Sequence, residues 1–280
     1  LYTEIAKSYL RKEKFPSVWC PGCGHGLILA SILRAIHKKG WKKEETVMVS
    51  GIGCAGRIPG YVDFCTLHTT HGRALAFATG IKFARPELNV IAVMGDGDAA
   101  AIGGNHLIHA ARRNINITAI VFNNFIYGMT GGQKSPTTPR GFFSSTSPYG
   151  NAEPPFDLCN MVKGAGAVFV ARGTEYHLPA LDTIIYKALS KNGFSFVDVI
   201  VMCPTSFGRK NKLSSDATQN MEWIKSISIP KKKAEGLSQE ELQGKIVIGI
   251  FADSLRSEFV EYYEREILKE GKCPKNTKSD

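Results

Sequence analysis

Two kinds of apolar segment alternate along this chain. Thr46-Val47-Met48-Val49-Ser50, Val90-Ile91-Ala92-Val93-Met94, Ile117-Thr118-Ala119-Ile120-Val121-Phe122 and Phe196-Val197-Asp198-Val199-Ile200-Val201-Met202 are short and rich in branched side chains. Runs of that kind read as strands buried on both faces of a sheet. Between them, Leu27 to Lys39, Arg73 to Ala84, Gly104 to Arg113, Pro155 to Gly164 and Tyr176 to Lys191 carry apolar residues at helical spacing. The alternation, from about Gly26 to Met202, predicts an α/β fold with a doubly wound, mainly parallel sheet. No internal repeat is visible. With 43% hydrophobic content in 280 residues, one sizeable core is enough, and it is expected to occupy residues 1–210.

After about Asn211 the pattern weakens. Met221 to Ile224 suggests a helix, Lys231-Lys232-Lys233 is expected to be exposed, Lys245 to Phe251 suggests a last strand and Ser254 to Lys269 a last helix. Residues 211–280 are therefore read as a C-terminal extension that packs on a partner subunit, with folding back on the chain's own core as the competing expectation. A second irregular stretch, Thr130 to Pro155, is rich in Gly, Ser, Thr and Pro. A loop so long inside a compact domain is usually functional, here a cover over a cofactor or a surface for a partner.

The strand ends carry the chemistry. Gly95-Asp96-Gly97-Asp98 follows one run and Asn123-Asn124-Phe125-Ile126-Tyr127-Gly128 follows the next, with the helix Gly104 to Arg113 between them. In such a βαβ unit both strand ends lie on one edge of the sheet. Each stretch alone reads as turn chemistry. Their order and spacing favour a cation site, because a carboxylate and an amide oxygen suit Mg²⁺, which fills its octahedron with phosphate and water. The pair resembles the thiamine diphosphate fingerprint, which implies Asp96, Asn124 and the carbonyl of Ile126 as Mg²⁺ ligands.

Cysteines stand at 20, 23, 54, 65, 159, 203 and 273. The count is odd and no secretory pattern is visible, so free thiols in a reducing cytoplasm are expected. The chain begins with Leu rather than Met, which suggests a trimmed or partly ordered N-terminus. Cys20-Pro21-Gly22-Cys23 is compatible with a metal site, a redox dithiol or inert thiols. Cys54 follows one strand and Cys203 another, beside glycine or proline turns. Structural zinc commonly uses two close pairs, whereas a [4Fe–4S] cluster needs four thiolates with no pairing in sequence. Cys65 and Cys159 are expected to pack as small hydrophobes and Cys273 lies in a polar tail.

Taken in order, Cys20 to Gly26, Gly51 to Cys54, Leu67 to Arg73, Gly95 to Asp98, Tyr127 to Gln133 and Cys203-Pro204-Thr205 resemble the β subunit of a 2-oxoacid:ferredoxin oxidoreductase. The resemblance covers roughly residues 15 to 225, and Gly128 to Gln133 with Ser135 to Pro139 looks most like the 2-oxoglutarate branch. It implies a [4Fe–4S] cluster on Cys20, Cys23, Cys54 and Cys203. It also implies thiamine diphosphate contacts at Ile52, Gly53, Cys54, Ala55, His71, Gly95, Asp96, Gly97, Asp98, Asn124, Gly128 and Met129. The partners implied are 2-oxoacid, coenzyme A, ferredoxin and an α subunit, in a heterodimer or a dimer of heterodimers. The α subunit of that family supplies the glutamate that activates thiamine, and nothing in this chain matches that element.

His71 is the expected polar contact in the pocket, against a structural role, and His68 is read as structural. Arg57 is a candidate for the substrate carboxylate, against a surface or subunit salt bridge, and Lys134 and Arg140 are weaker candidates for a second carboxylate. The formal charge of +10 fits either a solvated lysine surface or attraction of acidic partners. Nucleic acid is not expected, because the basic residues form no compact motif interleaved with aromatics. No apolar stretch has the length needed to span a bilayer.

Overall fold

The computed structural model, which describes residues 2–213 and 216–268, sets the apolar runs side by side in an eight-stranded sheet. Its strands include β1 (Thr46–Ser50), β2 (Cys65–His68), β3 (Asn89–Gly95) and β4 (Thr118–Asn123). A small separate hairpin follows, β5 (Ile126–Tyr127) and β6 (Gln133–Lys134). The sheet continues with β7 (Phe169–Thr174), β8 (Ser195–Ile200), β9 (Ser228–Pro230) and β10 (Ile246–Asp253). The spatial order is β2-β1-β3-β4-β8-β7-β10-β9. Neighbours from β2 through β7 are all parallel, while β10 runs antiparallel to β7.

Alternation along each strand explains why the runs are apolar throughout. In β3, Ile91 and Val93 enter one core, while Val90, Ala92 and Met94 enter the other. In β4, Ile120 and Phe122 face the first core, with Ala119 and Val121 on the second. Helix α1 (Tyr2–Tyr9), α2 (His25–Lys39), α3 (Ala74–Ala84), α4 (Gly104–Arg113), α5 (Leu158–Gly164) and α6 (Leu178–Leu189) fill the two outer layers. The apolar stripes of α2 (Ile28, Leu29, Ile32, Leu33, Ile36) and α6 (Leu181, Ile184, Ile185) close the first face. Those of α3, α4 and α5 close the second. Each such buried Leu or Ile contributes about 1.5–3 kcal/mol. The fold is the expected doubly wound α/β arrangement, with the predicted crossover helix at Gly104–Arg113.

Two local readings change. Cys65, expected to be packed, is exposed, because β2 is an edge strand with a neighbour on one side only. The stretch after Ser254 becomes helical only at Phe259, as an α-helix over Phe259–Tyr262 that continues as a π-helix over Tyr263–Leu268. Part of the segment after residue 210 is continuous with the sheet, since β10 pairs with β7 and the buried Asn114 donates to the carbonyls of Arg256 and Ser257. Cys273 and Lys269 lie outside the described residues.

Candidate functional site

Because the strands from β2 through β7 are parallel, the residues that follow β1, β3, β4 and β8 emerge on one edge. The chain passes from β1 outward to β2 and then returns to β3 on the other side of β1. That reversal opens a crevice at the carboxyl ends of the strands, where ligands bind in folds of this type. A cleft of about 270 Å³ occupies this position. Its lining contains all twelve residues expected to contact the cofactor, from Ile52 through Met129. Ile126 lines it too, so the three expected Mg²⁺ ligands share one wall.

The turn after β3 is shaped by one contact. A side chain on Gly97 would come within 2.2 Å of the Tyr127 ring, which lies over it and donates its hydroxyl to the Gly97 carbonyl at 3.2 Å. Glycine is required there, and Asp96 and Asp98 are held on either side. Asp96 is buried, and Ser135 Oγ and Thr137 Oγ1 each donate to its Oδ2 at 2.6 Å. Burial pushes its carboxyl up to about 6, against the pull of those two hydroxyls. Hydrogen bonds of this kind to a charged group contribute about 1.5–3 kcal/mol each.

Asn124 is buried at the end of β4, and its Oδ1 accepts only a long bond from the Ile126 N–H, at 3.3 Å. The intervening Phe125 has φ of 63°, an unusual conformation for a bulky residue. It is pinned there by packing on the buried Phe207, with ring centroids 5.3 Å apart, and by Thr138 Oγ1 donating to its carbonyl. One carboxylate, one amide oxygen and one backbone carbonyl form a hard, sparse donor set. It fits Mg²⁺ held jointly with a diphosphate and does not form a self-sufficient cage. Among the described residues no group of three or more His, Cys, Asp or Glu, the four expected thiols included, is already arranged to hold a metal ion.

Asp98 is also buried, and its Oδ1 lies 2.8 Å from His71 Nδ1 and accepts the Gly72 N–H at 2.6 Å. Burial raises its carboxyl, opposed by Gly72 and His71. The carboxylate thereby fixes the orientation of the His71 ring in the cleft wall. His68 instead pairs with Ser50 Oγ at 2.8 Å, a structural contact.

Cys54 lies on the same wall, and its carbonyl accepts Trp19 Nε1–H at 2.8 Å. Around it stand the other three expected cluster ligands. Cys20 and Cys203 Sγ lie 3.6 and 3.9 Å from one hydroxyl, Thr205 Oγ1. Burial lifts the Cys23 thiol to about 12, with Cys203 and Cys54 adding to the effect. Burial likewise lifts Cys54 to about 11, with Cys203 and Cys20 adding. Three segments remote in sequence thus gather four thiols beside the cleft.

Some candidates sit elsewhere. Arg57 is exposed and does not line the cleft, although its charge bears on the Cys54 thiol. Lys134 pairs with Glu153 at 2.5 Å, and Arg140 is exposed; neither lines the cleft. Other residues were not singled out by sequence reasoning. His25, Phe122, Tyr127 and Thr130 complete the lining, and Ser135 and Thr137 brace Asp96. The long loop is therefore partly a support under the site: Ser135, Thr137, Thr138 and Asn151 are buried. Glu175 was missed as well. Its Oε1 accepts the Met202 N–H at 2.8 Å, and its Oε2 fills the space that a side chain on Gly24 would need.

Residues 51–199 match the family described as thiamine pyrophosphate enzyme, C-terminal TPP binding domain. The chain is 52% identical over 250 residues to the 2-oxoglutarate synthase subunit KorB of Methanothermobacter marburgensis, covering 89% of this chain and 87% of that protein. It is 38% identical over 263 residues to the 2-oxoacid:ferredoxin oxidoreductase subunit beta of Saccharolobus solfataricus, covering 90% and 85% respectively. A solved structure, the 2-oxoglutarate:ferredoxin oxidoreductase from Magnetococcus marinus with 2-oxoglutarate, coenzyme A and succinyl-CoA bound, superposes with a TM-score of 0.81. That match has 32% identity and covers 93% of this chain and 90% of the other. The shared fold, the strand-end cleft and the extent of these matches together place the chain in the β-subunit family of the 2-oxoacid:ferredoxin oxidoreductases, among the 2-oxoglutarate synthase subunits.

Proposed function

We propose that this chain is the β subunit of a 2-oxoglutarate:ferredoxin oxidoreductase, converting 2-oxoglutarate and coenzyme A to succinyl-coenzyme A and CO₂ and passing electrons to ferredoxin. One observation carries the reading: the Cys54 loop lines the strand-end cleft, and its thiol is at the same time within electrostatic reach of Cys20, Cys23 and Cys203. An organic cofactor in the cleft and an inorganic acceptor on the thiols would share that wall. Thiamine diphosphate, when bound, supplies the carbon nucleophile and the electron sink that decarboxylation of a 2-oxoacid requires.

The chain's own residues supply position and charge. Asp96, Asn124 and the Ile126 carbonyl would hold Mg²⁺ against the diphosphate, with Ser135 and Thr137 fixing the carboxylate. Asp98 holds His71 in one orientation. Ile52, Tyr127 and Met129 wall the cleft and exclude water from the reacting centre. Cys20, Cys23, Cys54 and Cys203 would take the four irons of a [4Fe–4S] cluster, a larger centre than a single metal ion. Because burial keeps the free Cys23 and Cys54 thiols protonated, loading the cluster releases protons and is favoured as pH rises.

Two features support an α partner. The only carboxylates lining the cleft are Asp96 and Asp98, so the lining itself offers no glutamate to activate thiamine, which supports supply of that group by a partner. Ile52 and Met129 are respectively 40% and 43% exposed at this wall, apolar surface that a partner would cover. The assembly we propose is a heterodimer or a dimer of heterodimers, with ferredoxin as the electron acceptor. A reducing cytoplasm suits the six described cysteines, all free thiols, and no helix among the described residues is long and apolar enough to cross a membrane.

The test is the specificity of the complex purified anaerobically with its α partner, using a viologen dye as acceptor. A charge pair to the distal carboxylate is worth about 2–5 kcal/mol, so kcat/KM for 2-oxoglutarate should exceed that for pyruvate at least tenfold. Equal values, or a preference for pyruvate, would overturn the substrate assignment.

A further inference from the structure

His25 stands between the cleft and the thiols. It is the first residue of α2, is almost fully buried and lines the cleft. Its Nδ1 lies 2.8 Å from Cys23 Sγ. Its ring packs on Phe122 at 5.1 Å and on Trp19 at 5.7 Å, centroid to centroid. Trp19 in turn donates to the Cys54 carbonyl. One imidazole therefore touches the cofactor cavity on one side and an expected cluster ligand on the other.

We propose that His25 is a positioning residue for electron transfer, donating an Nδ1–H hydrogen bond to the Cys23 sulfur and thereby setting the potential of the cluster. The proposal rests on the reading of the four cysteines as cluster ligands. A ligating thiolate carries no proton and can only accept, which assigns the proton to Nδ1. With a cluster held on the four thiolates, an added electron would raise the electron density on the Cys23 sulfur and strengthen the hydrogen bond from His25. No proton moves in this step. The bond stabilises the reduced cluster more than the oxidised one, so it raises the potential, one of the established controls on iron–sulfur centres. The rest of the ring serves as packing between the two sites.

Two substitutions separate the bond from the packing. His25→Phe keeps an aromatic ring against Phe122 and Trp19 and removes the donor. His25→Asn loses the ring and places an amide N–H where Nδ1 stood. The measurement is an EPR-monitored redox titration of the assembled complex, alongside its iron and sulfide content. His25→Phe should retain the cluster while the one-electron equilibrium shifts about tenfold toward the oxidised form, equivalent to about 59 mV. His25→Asn should stay within about threefold of the wild type. An unchanged potential in His25→Phe, or equal shifts in both variants, would overturn the proposal and leave the cluster reading intact. If His25→Phe loses its iron, His25→Asn decides: a potential near wild type supports the bond, and a displaced one overturns it. A wild-type complex without a [4Fe–4S] cluster overturns both readings.

Discussion

The oxygen-donor wall of the cleft and the thiol cluster beside it are built in opposite ways. Around Asp96 the protein supplies its own bracing: two hydroxyls at 2.6 Å, a second hydroxyl network through Thr138, and aromatic packing over Gly97 and Phe125. Around the cysteines the chain braces Cys23 through His25 and Cys54 through Trp19 but ties the four thiols to one another only loosely. The four thiols come from three loops remote in sequence, and the direct links among them run through one threonine hydroxyl at 3.6 and 3.9 Å. The first site is shaped before its ligand arrives, and the second depends on an inorganic centre to tie its loops together. Loss of a cleft residue should therefore affect binding with little effect on the fold, whereas loss of the cluster should loosen the region around Cys20 to Cys23.

The largest expected effect is on cofactor affinity. Asp96→Ala removes the one acidic ligand, and thiamine diphosphate affinity measured by calorimetry should fall by more than about 100-fold, beyond the 10–100-fold typical of outer-shell changes. The visible spectrum of the cluster should persist, which is what separates the two regions. Normal cofactor binding by this variant would remove the basis for the Mg²⁺ assignment.

Next come the thiols. Cys203→Ser or Cys23→Ser should deplete iron and sulfide from anaerobically prepared protein, starting from about four of each per chain. Cys65→Ser should leave both unchanged, since Cys65 is exposed on the edge strand. Zinc in place of iron would contradict the cluster reading.

A smaller effect tests the bracing itself. Thr137→Val keeps the shape and removes the hydroxyl shared by Asp96 and Asn123, which lie 2.6 and 2.9 Å from it. Thiamine diphosphate affinity should fall about 10-fold, within the range for outer-shell partners. An unchanged affinity would mean that the loop acts only as a spacer.

Most of this architecture was legible in the sequence, and the parts that were not share a cause. The strands β1, β3, β4 and β8 are apolar on both faces, so composition alone marked them. In contrast, β7 contains Arg172 and Gly173, which break the run; the arginine is tolerated because it pairs inside the protein with Asp198 at 2.8 Å and Asp157 at 2.7 Å. The edge strand β2 carries partly exposed polar residues and so lacked the same signal. At the site, strand-end ligand types were visible because they lie at fixed offsets from their strands. The residues that brace them were not, because Ser135, Thr137 and Glu175 act across distances in sequence that only the fold closes.

A pH effect on stability rather than on binding concerns Glu175, a buried carboxylate close to the thiols but not among them. Burial lifts it from 4.5 to about 7, so the folded state binds more protons than the unfolded state between those values. Stability from this group is fully present below about pH 4.5 and is lost as pH rises through about 7. The difference amounts to about 3 kcal/mol. In chemical denaturation of cluster-depleted protein, Glu175→Gln should flatten this part of the pH profile. A profile identical to wild type would show that the carboxylate does not titrate there.

The central claim is that the cleft and the thiols form one donor–acceptor unit through the Cys54 loop. Its most direct test mixes the oxidised complex with 2-oxoglutarate and coenzyme A, without external acceptor, and follows the cluster by rapid-freeze EPR. The expected result is a reduced [4Fe–4S] signal within a single turnover in the wild type and none in Asp96→Ala with its cluster intact. Formation of succinyl-coenzyme A while the cluster on Cys20, Cys23, Cys54 and Cys203 stays oxidised would contradict it.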